Sequence, residues 1–356
     1  MTQEKIDLFI KNSSSFYKDD ELDNIDNKHK GIIEKAYKQF SESVNLANLK
    51  NWAGQSDMTV PPQLSFLQFK HRGIFKVIVI YFAKLILRRE EYKLLKSTLL
   101  DDIAVIKSKE NGSKLLADNP VHLTPGSNIF YQHEGTTVNG RWLRYVYQLQ
   151  QIKSNKLLND NQIWVDVGSY YGGLAGLVKK YFSDIRIILV DFHHQLCRSY
   201  LYLSELYPEV EHIFPDSITQ YKNFKDIPNG SIMYVPVSEY DSIQDNQVDF
   251  FTNSFSLGEM RREVFNSYVN SPLYQQATNL YLINRFVSAP FFEQTYDTDL
   301  NILDYKLYES NVTYFDMFPI HHYMLLKRKV LGRIEFRNVS SPYFEVIINQ
   351  GQKNEK

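Results

Sequence analysis

The stretch that most constrains the fold of this chain is Asn161 to Phe192, which reads NQIWVDVGSYYGGLAGLVKKYFSDIRIILVDF. It begins with a short apolar run, Ile163 to Val167, of the kind that forms a strand buried on both faces. A glycine-rich turn and a helical pattern follow, and a second apolar run ends on Asp191. These features predict a βαβ unit. Its turn lies at the carboxyl end of the first strand, the edge where open α/β sheets bind nucleotide-like ligands.

The spacing of the glycines in this turn favours one kind of cofactor. A dinucleotide fold requires G-x-G-x-x-G, so that a pyrophosphate can approach the backbone at the helix N-terminus. Here Tyr170 replaces the middle glycine, which disfavours a pyrophosphate and therefore a nicotinamide enzyme. Asp166 is available to the cationic end of an amino acid, and Asp191 to two ribose hydroxyls. Together these features resemble the S-adenosylmethionine site of class I methyltransferases; the alternative is an unoccupied turn in another α/β protein.

The resemblance to class I methyltransferases implies a Rossmann-like, seven-stranded α/β fold. Residues 131–350 would form this domain, and residues 1–130 a mainly helical accessory or cap region. Residues 285–318 are rich in aromatic side chains and predict an insertion that covers the substrate. At the junction of these two regions, the pattern of residues 101–135 predicts a mixture of strands and loops, which Pro and Gly residues interrupt. The later strands are predicted at residues 231–237, 248–252, 279–284, 322–328 and 343–348.

The helix that precedes the βαβ unit is predicted at Arg141 to Ile152. Its apolar residues recur at the spacing i, i+3, i+4, i+7 and form one stripe. Arg141 and Arg144 lie on another face, which is expected to be solvated, although both could hold a phosphate or carboxylate of the substrate.

Charge and composition exclude several classes of protein. A formal net charge of −1 gives no reason to expect a nucleic-acid partner, and a single cysteine, Cys197, excludes an internal disulfide and a cysteine-rich metal cluster. The apolar segment 74–87 contains Lys76 and Lys84 and is too short to span a bilayer. The first residues lack the apolar core of a signal peptide. We therefore expect a cytoplasmic protein without a transmembrane segment, for which segment 74–87 is either buried or a peripheral contact with the inner face of the membrane.

The residues expected to bind the cofactor follow the carboxyl ends of the first four predicted strands. In this fold, the loop after the third strand flanks the adenine ring. The expected cofactor residues are Asp166, Gly168, Ser169, Tyr170, Tyr171, Gly172, Asp191, Phe192, Pro236, Val237 and Asn253.

Transfer of a methyl group to a hydroxyl requires alignment of the two reacting atoms and a base that takes the proton. The candidate bases are Glu259, in the loop after the fourth strand, and His321 and His322, which enter a later strand. The residues expected to bind the acceptor are Ser254, Ser256, His133 and Arg144. No carboxylate or histidine spacing marks a metal site, and we expect no metal.

Three further motifs make the resemblance more specific. DVGSYYGG-x17-D together with VDFFTNSFSLGEM and YLINR resembles the sugar O-methyltransferase family of bacterial surface-polysaccharide gene clusters. The resemblance covers residues 125–330 and implies S-adenosyl-L-methionine as cofactor, S-adenosyl-L-homocysteine as product, and a sugar or glycan precursor of capsule or lipopolysaccharide as acceptor. Two alternatives are another small acceptor, such as a phosphate-containing capsule modification, and an inert methyltransferase-like subunit that binds a partner enzyme.

Overall fold

The computed structural model describes residues 3–13, 96–121, 131–287, 300–320, 326–330, 333–337 and 343–351. The apolar segment 74–87 and the candidate bases His321 and His322 lie outside these residues, as do the middle of the predicted aromatic insertion and the start of the strand predicted at residues 322–328. All structural statements below concern the described residues.

The elements that precede the predicted βαβ unit are mostly helical. They are helix α1 (Gln3–Lys11), helix α2 over residues 96–108, helix α3 (Gly112–Asp118), and an antiparallel ribbon of strands β1 (Tyr131–His133) and β2 (Thr136–Val138). The prediction of mixed strand and loop over residues 101–135 is therefore wrong for the two helices. Their buried side chains, such as Phe9 and Ile106, belong to the same hydrophobic cluster as one face of the central sheet. The described N-terminal elements thus share a core with the rest of the protein.

The central sheet has eight strands in the described part of the chain. They are β3 (Ile163–Val167), β4 (Arg186–Asp191), β5 (His212–Ile213), β6 (Ile232–Pro236), β7 (Phe250–Ser254), β8 (Asn279–Arg285), β9 (Val312–Met317) and β12 (Tyr343–Asn349). Their order across the sheet is β5-β6-β4-β3-β7-β8-β12-β9. Strands β3 to β8 pair in parallel, whereas β12 runs antiparallel to both of its neighbours. The predicted Rossmann-like α/β fold is confirmed. Six of the seven predicted strands lie in the described central sheet, and the other two strands, β5 and β9, were not predicted.

Of the two strands beyond β8, one was predicted and one was not. Strand β9 lies inside the segment 285–318, which was predicted to be a substrate-covering insertion. Strand β12 corresponds to the strand predicted at residues 343–348 and is inserted between β8 and β9. Among the described residues, strands β10 (Leu326–Val330) and β11 (Arg333–Arg337) pair with each other in a separate ribbon. The described end of the strand predicted at residues 322–328, residues 326–328, lies in this ribbon and not in the central sheet.

Helices cover both faces of the sheet. They are α4 (Gly140–Ser154), α5 (Gly173–Lys179), α6 (His193–Leu206), α7 (Tyr240–Ile243), α8 (Arg262–Asn270) and α9 (Pro272–Gln275). Helix α4 is capped by Asn139, which precedes it. The Asn139 side chain accepts a hydrogen bond from the backbone N–H of Trp142, which satisfies one of the free donors of the first turn. The strands alternate between the two cores, so that Trp164 packs on one face and Val165 on the other. No helix in the described ranges is long and apolar enough to cross a lipid bilayer.

Candidate active site

The turn after β3 is built on three residues with positive φ. Gly168, Tyr170 and Gly172 have φ of +77°, +56° and +76°. The backbone N–H of Gly168 donates to the carbonyl of Val190 at 2.8 Å, which ties the turn to the neighbouring strand β4. A Cβ on Gly168 would lie 2.3 Å from the Oγ of Ser256. Glycine is therefore required here both for the backbone conformation and for the close approach of the loop after β7.

We predict that Gly168→Ala lowers the free energy of unfolding by more than Gly135→Ala does. Both glycines have positive φ, and the cost of that conformation to alanine is on the order of 1 kcal/mol. A Cβ on Gly135 meets nothing within 4 Å, whereas a Cβ on Gly168 must displace Ser256. Urea unfolding of both variants measures the difference. Equal losses for the two variants would contradict a tight contact between the turn and the β7 loop.

Asp191 closes the turn from the end of β4. Its Oδ2 accepts a hydrogen bond from the backbone N–H of Tyr170 at 2.6 Å, and its Oδ1 accepts one from the backbone N–H of Phe192 at 2.7 Å. Burial raises the pKa of the Asp191 carboxyl to about 7, against the two backbone hydrogen bonds and the charge of Arg198, which lower it. An ionised carboxylate has about four lone-pair positions. Two donors therefore leave acceptor capacity for a ligand in the cavity that Asp191 lines.

Asp166 occupies the end of β3, beside Asp191. Its Oδ1 accepts a hydrogen bond at 2.6 Å from the Oγ1 of Thr252, which in turn accepts one from the indole N–H of Trp164 at 2.8 Å. Burial raises the pKa of the Asp166 carboxyl to about 7; the Thr252 hydrogen bond opposes this shift and the charge of Asp191 adds to it. Two carboxyls whose pKa values are both about 7 thus lie near the ends of adjacent parallel strands.

Tyr170 is held by two arginines. The guanidinium carbons of Arg141 and Arg198 lie 4.4 and 4.6 Å from the centre of its ring, distances at which cation–π attraction operates. Its carbonyl accepts a hydrogen bond from the hydroxyl of Ser199 at 2.8 Å. The position that the dinucleotide pattern reserves for a glycine is therefore filled by a fixed aromatic side chain.

Asn253 organises the loop after β7. Its Nδ2 donates to the Val167 carbonyl and to the Ser256 hydroxyl, at 2.8 and 2.6 Å, and its Oδ1 accepts from the backbone N–H of Leu257 and from the amide of Asn284. The side chain is fully buried and does not line the cavity described below. Asn253 was predicted to contact the cofactor; the structure gives it the role of holding Ser256 and the loop in place.

Glu259, the first candidate base, follows this loop and lines the cavity. Its Oε1 accepts a hydrogen bond at 2.6 Å from a terminal nitrogen of Arg285, and the Nε of Arg285 donates to the hydroxyl of Tyr343 at 3.2 Å. The Glu259 side chain is 28% exposed and that of Arg285 is 6% exposed. The buried guanidinium of Arg285 thus orients the Glu259 carboxylate, and Glu259 also lines the cavity.

These groups surround one cavity of about 480 Å³, within the range of pockets for small molecules and cofactors. Of the predicted cofactor residues, those that line it are Asp166, Gly168, Ser169, Tyr170, Asp191, Phe192 and Val237. Of the predicted acceptor and base residues, those that line it are Ser254, Ser256, Arg144 and Glu259. The buried hydroxyl of Ser169 has no hydrogen-bond partner in the part of the chain that the structure describes, and is available to a ligand.

Several predicted residues lie away from the cavity. Tyr171 and Gly172 are buried behind the turn, and Pro236 ends strand β6. His133 belongs to the β1–β2 ribbon, where its Nε2 lies 3.5 Å from the Nζ of Lys107. None of these four predicted residues is among the residues that line the cavity.

A second group of residues that were not predicted for the site also lines the cavity, and it includes Tyr145, Gln148, Gln195, Tyr240, Asp241 and Tyr268. Arg144, predicted on a solvated face, is only 4% exposed. Helix α4 is buried on nearly its whole circumference, so its apolar stripe does not mark which polar residues face solvent. In the described ranges, no group of three or more His, Cys, Asp or Glu side chains is placed to hold a metal ion.

Comparison with known proteins gives similarity in structure only. No family model matches the chain, and no curated protein matches it. Solved structures with a similar fold include magnesium protoporphyrin IX methyltransferase from Synechocystis PCC 6803 with bound SAM, at 10% identity and a TM-score of 0.36, covering 59% of this chain and 78% of that one. The methyltransferase domain of bacterial CtHen1 matches at 13% identity and a TM-score of 0.35, covering 59% of this chain and all of the other. The assignment of the fold rests on the strand order.

Proposed function

We propose that the protein is an S-adenosylmethionine-dependent O-methyltransferase that methylates a sugar hydroxyl in the biosynthesis of a bacterial surface polysaccharide. The observation that carries this proposal is the pair of buried carboxyls, Asp166 and Asp191, at the ends of adjacent parallel strands. Both line one cavity together with the glycine turn. Open α/β sheets bind their ligands at this edge.

The residues of the turn fit the proposed cofactor. Asp166 and the unpartnered hydroxyl of Ser169 suit the cationic amino group of the methionine part, and Asp191 suits the ribose hydroxyls. Phe192 and Val237 offer apolar surface to the adenine ring. Tyr170, whose ring contacts two arginines, narrows the approach that a pyrophosphate would need, which favours this cofactor over a nicotinamide. When bound, S-adenosylmethionine supplies an electrophilic methyl group on a sulfonium.

The acceptor side of the cavity is proposed to lie at the loop after β7. The hydroxyls of Ser254 and Ser256 and the carboxylate of Glu259 line this part of the cavity, and such groups can orient a sugar hydroxyl. Glu259 would take the proton of that hydroxyl as the bond to carbon forms, because an alcohol is a weak nucleophile in its neutral form. His321 and His322 stay predictions as alternative bases. A cytoplasmic location is part of the proposal.

The first test is calorimetric titration of the purified protein with S-adenosylmethionine, S-adenosylhomocysteine and NADH. Micromolar binding of the two adenosyl compounds and no binding of NADH are expected. Incubation with labelled S-adenosylmethionine and a panel of free, nucleotide-linked and lipid-linked sugars then identifies the acceptor. Absence of adenosyl binding would overturn the proposal and favour an inert subunit, whereas methylation of a non-sugar acceptor alone would restrict it to the methyltransferase class.

The affinity for S-adenosylhomocysteine is expected to rise with pH. The carboxylate form of Asp191 accepts hydrogen bonds from hydroxyls, and its pKa is about 7. Between pH 6 and pH 8 its ionised fraction rises from about one-tenth to about nine-tenths, which predicts an increase in affinity of about tenfold. Titration calorimetry between pH 6 and pH 8 measures the affinity for S-adenosylhomocysteine.

The stability of the unliganded protein should change in the opposite direction. The carboxyls of Asp166 and Asp191 have pKa values in the fold above those of the unfolded chain, near 3.9. Their uncharged forms stabilise the fold fully below that value, and this contribution is lost as the pH rises through 7.

For the binding prediction, an affinity for S-adenosylhomocysteine that stays flat from pH 6 to pH 8 would show that the ligand does not contact these carboxylates.

A further inference from the structure

A chain of three polar side chains crosses a buried face of the central sheet and ends at the cavity. Trp164 and Asp166 lie two residues apart in β3, so their side chains share one face of the sheet. Thr252 is the neighbour of Asp166 in the parallel strand β7. Trp164 and Thr252 are fully buried, and Asp166 is 4% exposed. Strands covered on both faces are mostly apolar, so this chain needs an explanation beyond the packing of the sheet.

The direction of the hydrogen bonds in this chain is fixed by its first member. An indole N–H can only donate, and that of Trp164 donates to the Oγ1 of Thr252 at 2.8 Å. The Thr252 hydroxyl therefore accepts from Trp164 and directs its own proton to the Oδ1 of Asp166, at 2.6 Å. A hydroxyl free to rotate could instead accept the proton of an uncharged carboxyl. Thr252 is held as a donor to Asp166.

A fixed donor favours the anionic form of the Asp166 carboxyl, because hydrogen bonds to charged acceptors are stronger than those to neutral ones. Burial raises the pKa of Asp166 to about 7, the hydrogen bond from Thr252 lowers it, and the charge of Asp191 on β4 raises it. The other titratable or charged groups that line the same cavity from neighbouring elements are Arg141, Arg144 and Tyr145 of α4, Tyr170 of the turn and Glu259 of the loop after β7. Thr252 thus opposes the effect of burial from inside the sheet.

We propose that Thr252 and Trp164 are positioning residues of the cofactor site, which hold the Asp166 carboxyl in its anionic form so that it binds the amino group of the cofactor at neutral pH. This inference rests on the proposed function, in which Asp166 contacts that amino group. Neither Thr252 nor Trp164 lines the cavity, so both act through Asp166 and not on the ligand itself.

The proposal predicts a threshold in pH for the binding of a cationic amino group. Below the pKa of Asp166 the carboxyl is uncharged and attracts an ammonium group weakly, and above that pKa the carboxylate attracts it strongly. Loss of the Thr252 donor removes stabilisation from the carboxylate alone. The pKa of Asp166 then rises, and the ammonium group is bound strongly only at a higher pH.

The test compares two ligands that differ only in this amino group, S-adenosylhomocysteine and its desamino analogue. Both carry the same adenosine, so the effect of Asp191 on the ribose cancels in the ratio of their dissociation constants. In the wild type, this ratio is expected to favour S-adenosylhomocysteine increasingly between pH 6 and pH 8, with a midpoint at about pH 7. Calorimetric titration with both ligands at each pH measures the ratio.

Thr252→Val keeps the shape of the side chain and removes the donor. The midpoint is expected to rise by about one pH unit, the scale of one hydrogen bond to a charged group. Thr252→Ser retains the hydroxyl and should retain the wild-type midpoint. Trp164→Phe should raise the midpoint by a smaller amount, because the hydroxyl remains but its direction is no longer fixed. Thr98→Val, at another fully buried threonine that does not line the cavity, is the matched control and should leave the midpoint unchanged.

The outcomes separate this inference from the proposed function. Failure of both ligands to bind the wild type would overturn the proposed function, and the inference with it. Binding of both ligands in a ratio that does not change with pH would overturn the inference alone, since Asp166 would not face the amino group. So would a Thr252→Val variant that is less stable but keeps the wild-type midpoint, because the chain would then serve only the fold. Thr252→Ala also lacks the hydroxyl and gives the same expected rise if Thr252→Val does not fold.

Discussion

Replacement of Glu259 by glutamine is expected to lower methyl-transfer turnover by about 10²- to 10⁴-fold, the usual contribution of a positioned base. Glutamine keeps the size of the side chain and can still accept a hydrogen bond from Arg285, but it cannot take a proton from the acceptor. The affinity for S-adenosylhomocysteine should stay within a few-fold, because Glu259 lines the acceptor side of the cavity. Release of S-adenosylhomocysteine in the presence of the identified acceptor measures turnover.

The ion pair between Glu259 and Arg285 suggests an alternative role for Glu259, in which the carboxylate is structural and not a base. If the pair serves only to hold the loop after β7, Glu259→Gln should lower the melting temperature and leave turnover largely intact. Glu263→Gln is the matched control, because Glu263 lies four residues later on exposed α8 surface and does not line the cavity. A variant that unfolds normally but turns over at the wild-type rate would place the base elsewhere, with His321 and His322 next to be replaced.

Asp191→Ala is expected to weaken S-adenosylhomocysteine binding by about 1–3 kcal/mol, the scale of a hydrogen bond to a charged group. The variant loses the acceptor for the ribose hydroxyls. It also loses the acceptor for the backbone N–H of Tyr170, which holds the turn in its left-handed conformation. Calorimetric titration measures the affinity, and urea unfolding shows how much of the loss comes from a loosened turn.

Asp241→Ala provides the comparison for Asp191→Ala. Asp241 also lines the cavity and also carries a carboxyl, but it is exposed, and among the described residues no hydrogen bond joins it to the turn. Its replacement should change the affinity by no more than about twofold, the small effect expected of an exposed charge. Equal losses for the two variants would mean that general negative charge attracts the ligand, and an unchanged affinity in Asp191→Ala would mean that the ribose lies elsewhere.

The parts of the fold that the sequence predicts are those in which local pattern and burial agree. Strand β3 is a continuous apolar run because both of its faces are covered, and Asp191 stands out because a carboxyl interrupts such a run at its end. Strand β9 gave no such signal. Five of its six residues are exposed along the edge of the sheet, and its exposed Phe315 was interpreted as part of a substrate cover.

The site residues that directly follow a strand could be predicted from the sequence. The site residues that lie on a helix were harder to predict. Gly168 and Asp191 are marked by their position after strands. Gln148 and Tyr145 are not, because the stripe on α4 was assumed to separate buried from solvated residues, and tertiary contacts bury both sides. Asn253 has a side chain of the type that often contacts ligands. Its four hydrogen bonds within the protein could not be predicted from the sequence, because they depend on the contacts among β7, β8 and the turn.

The position of β12 has a consequence for the order in which the chain can fold. Tyr343 and Arg285, which lie opposite each other in β12 and β8, are 58 residues apart in sequence. Until β12 is synthesised, β8 has a bare edge, and β9 has no partner in the sheet. Pairings over such separations form slowly, and an uncovered edge strand is a template for association with other chains. Ribosome-bound or truncated forms that end before Tyr343 are therefore expected to aggregate more readily than the full chain.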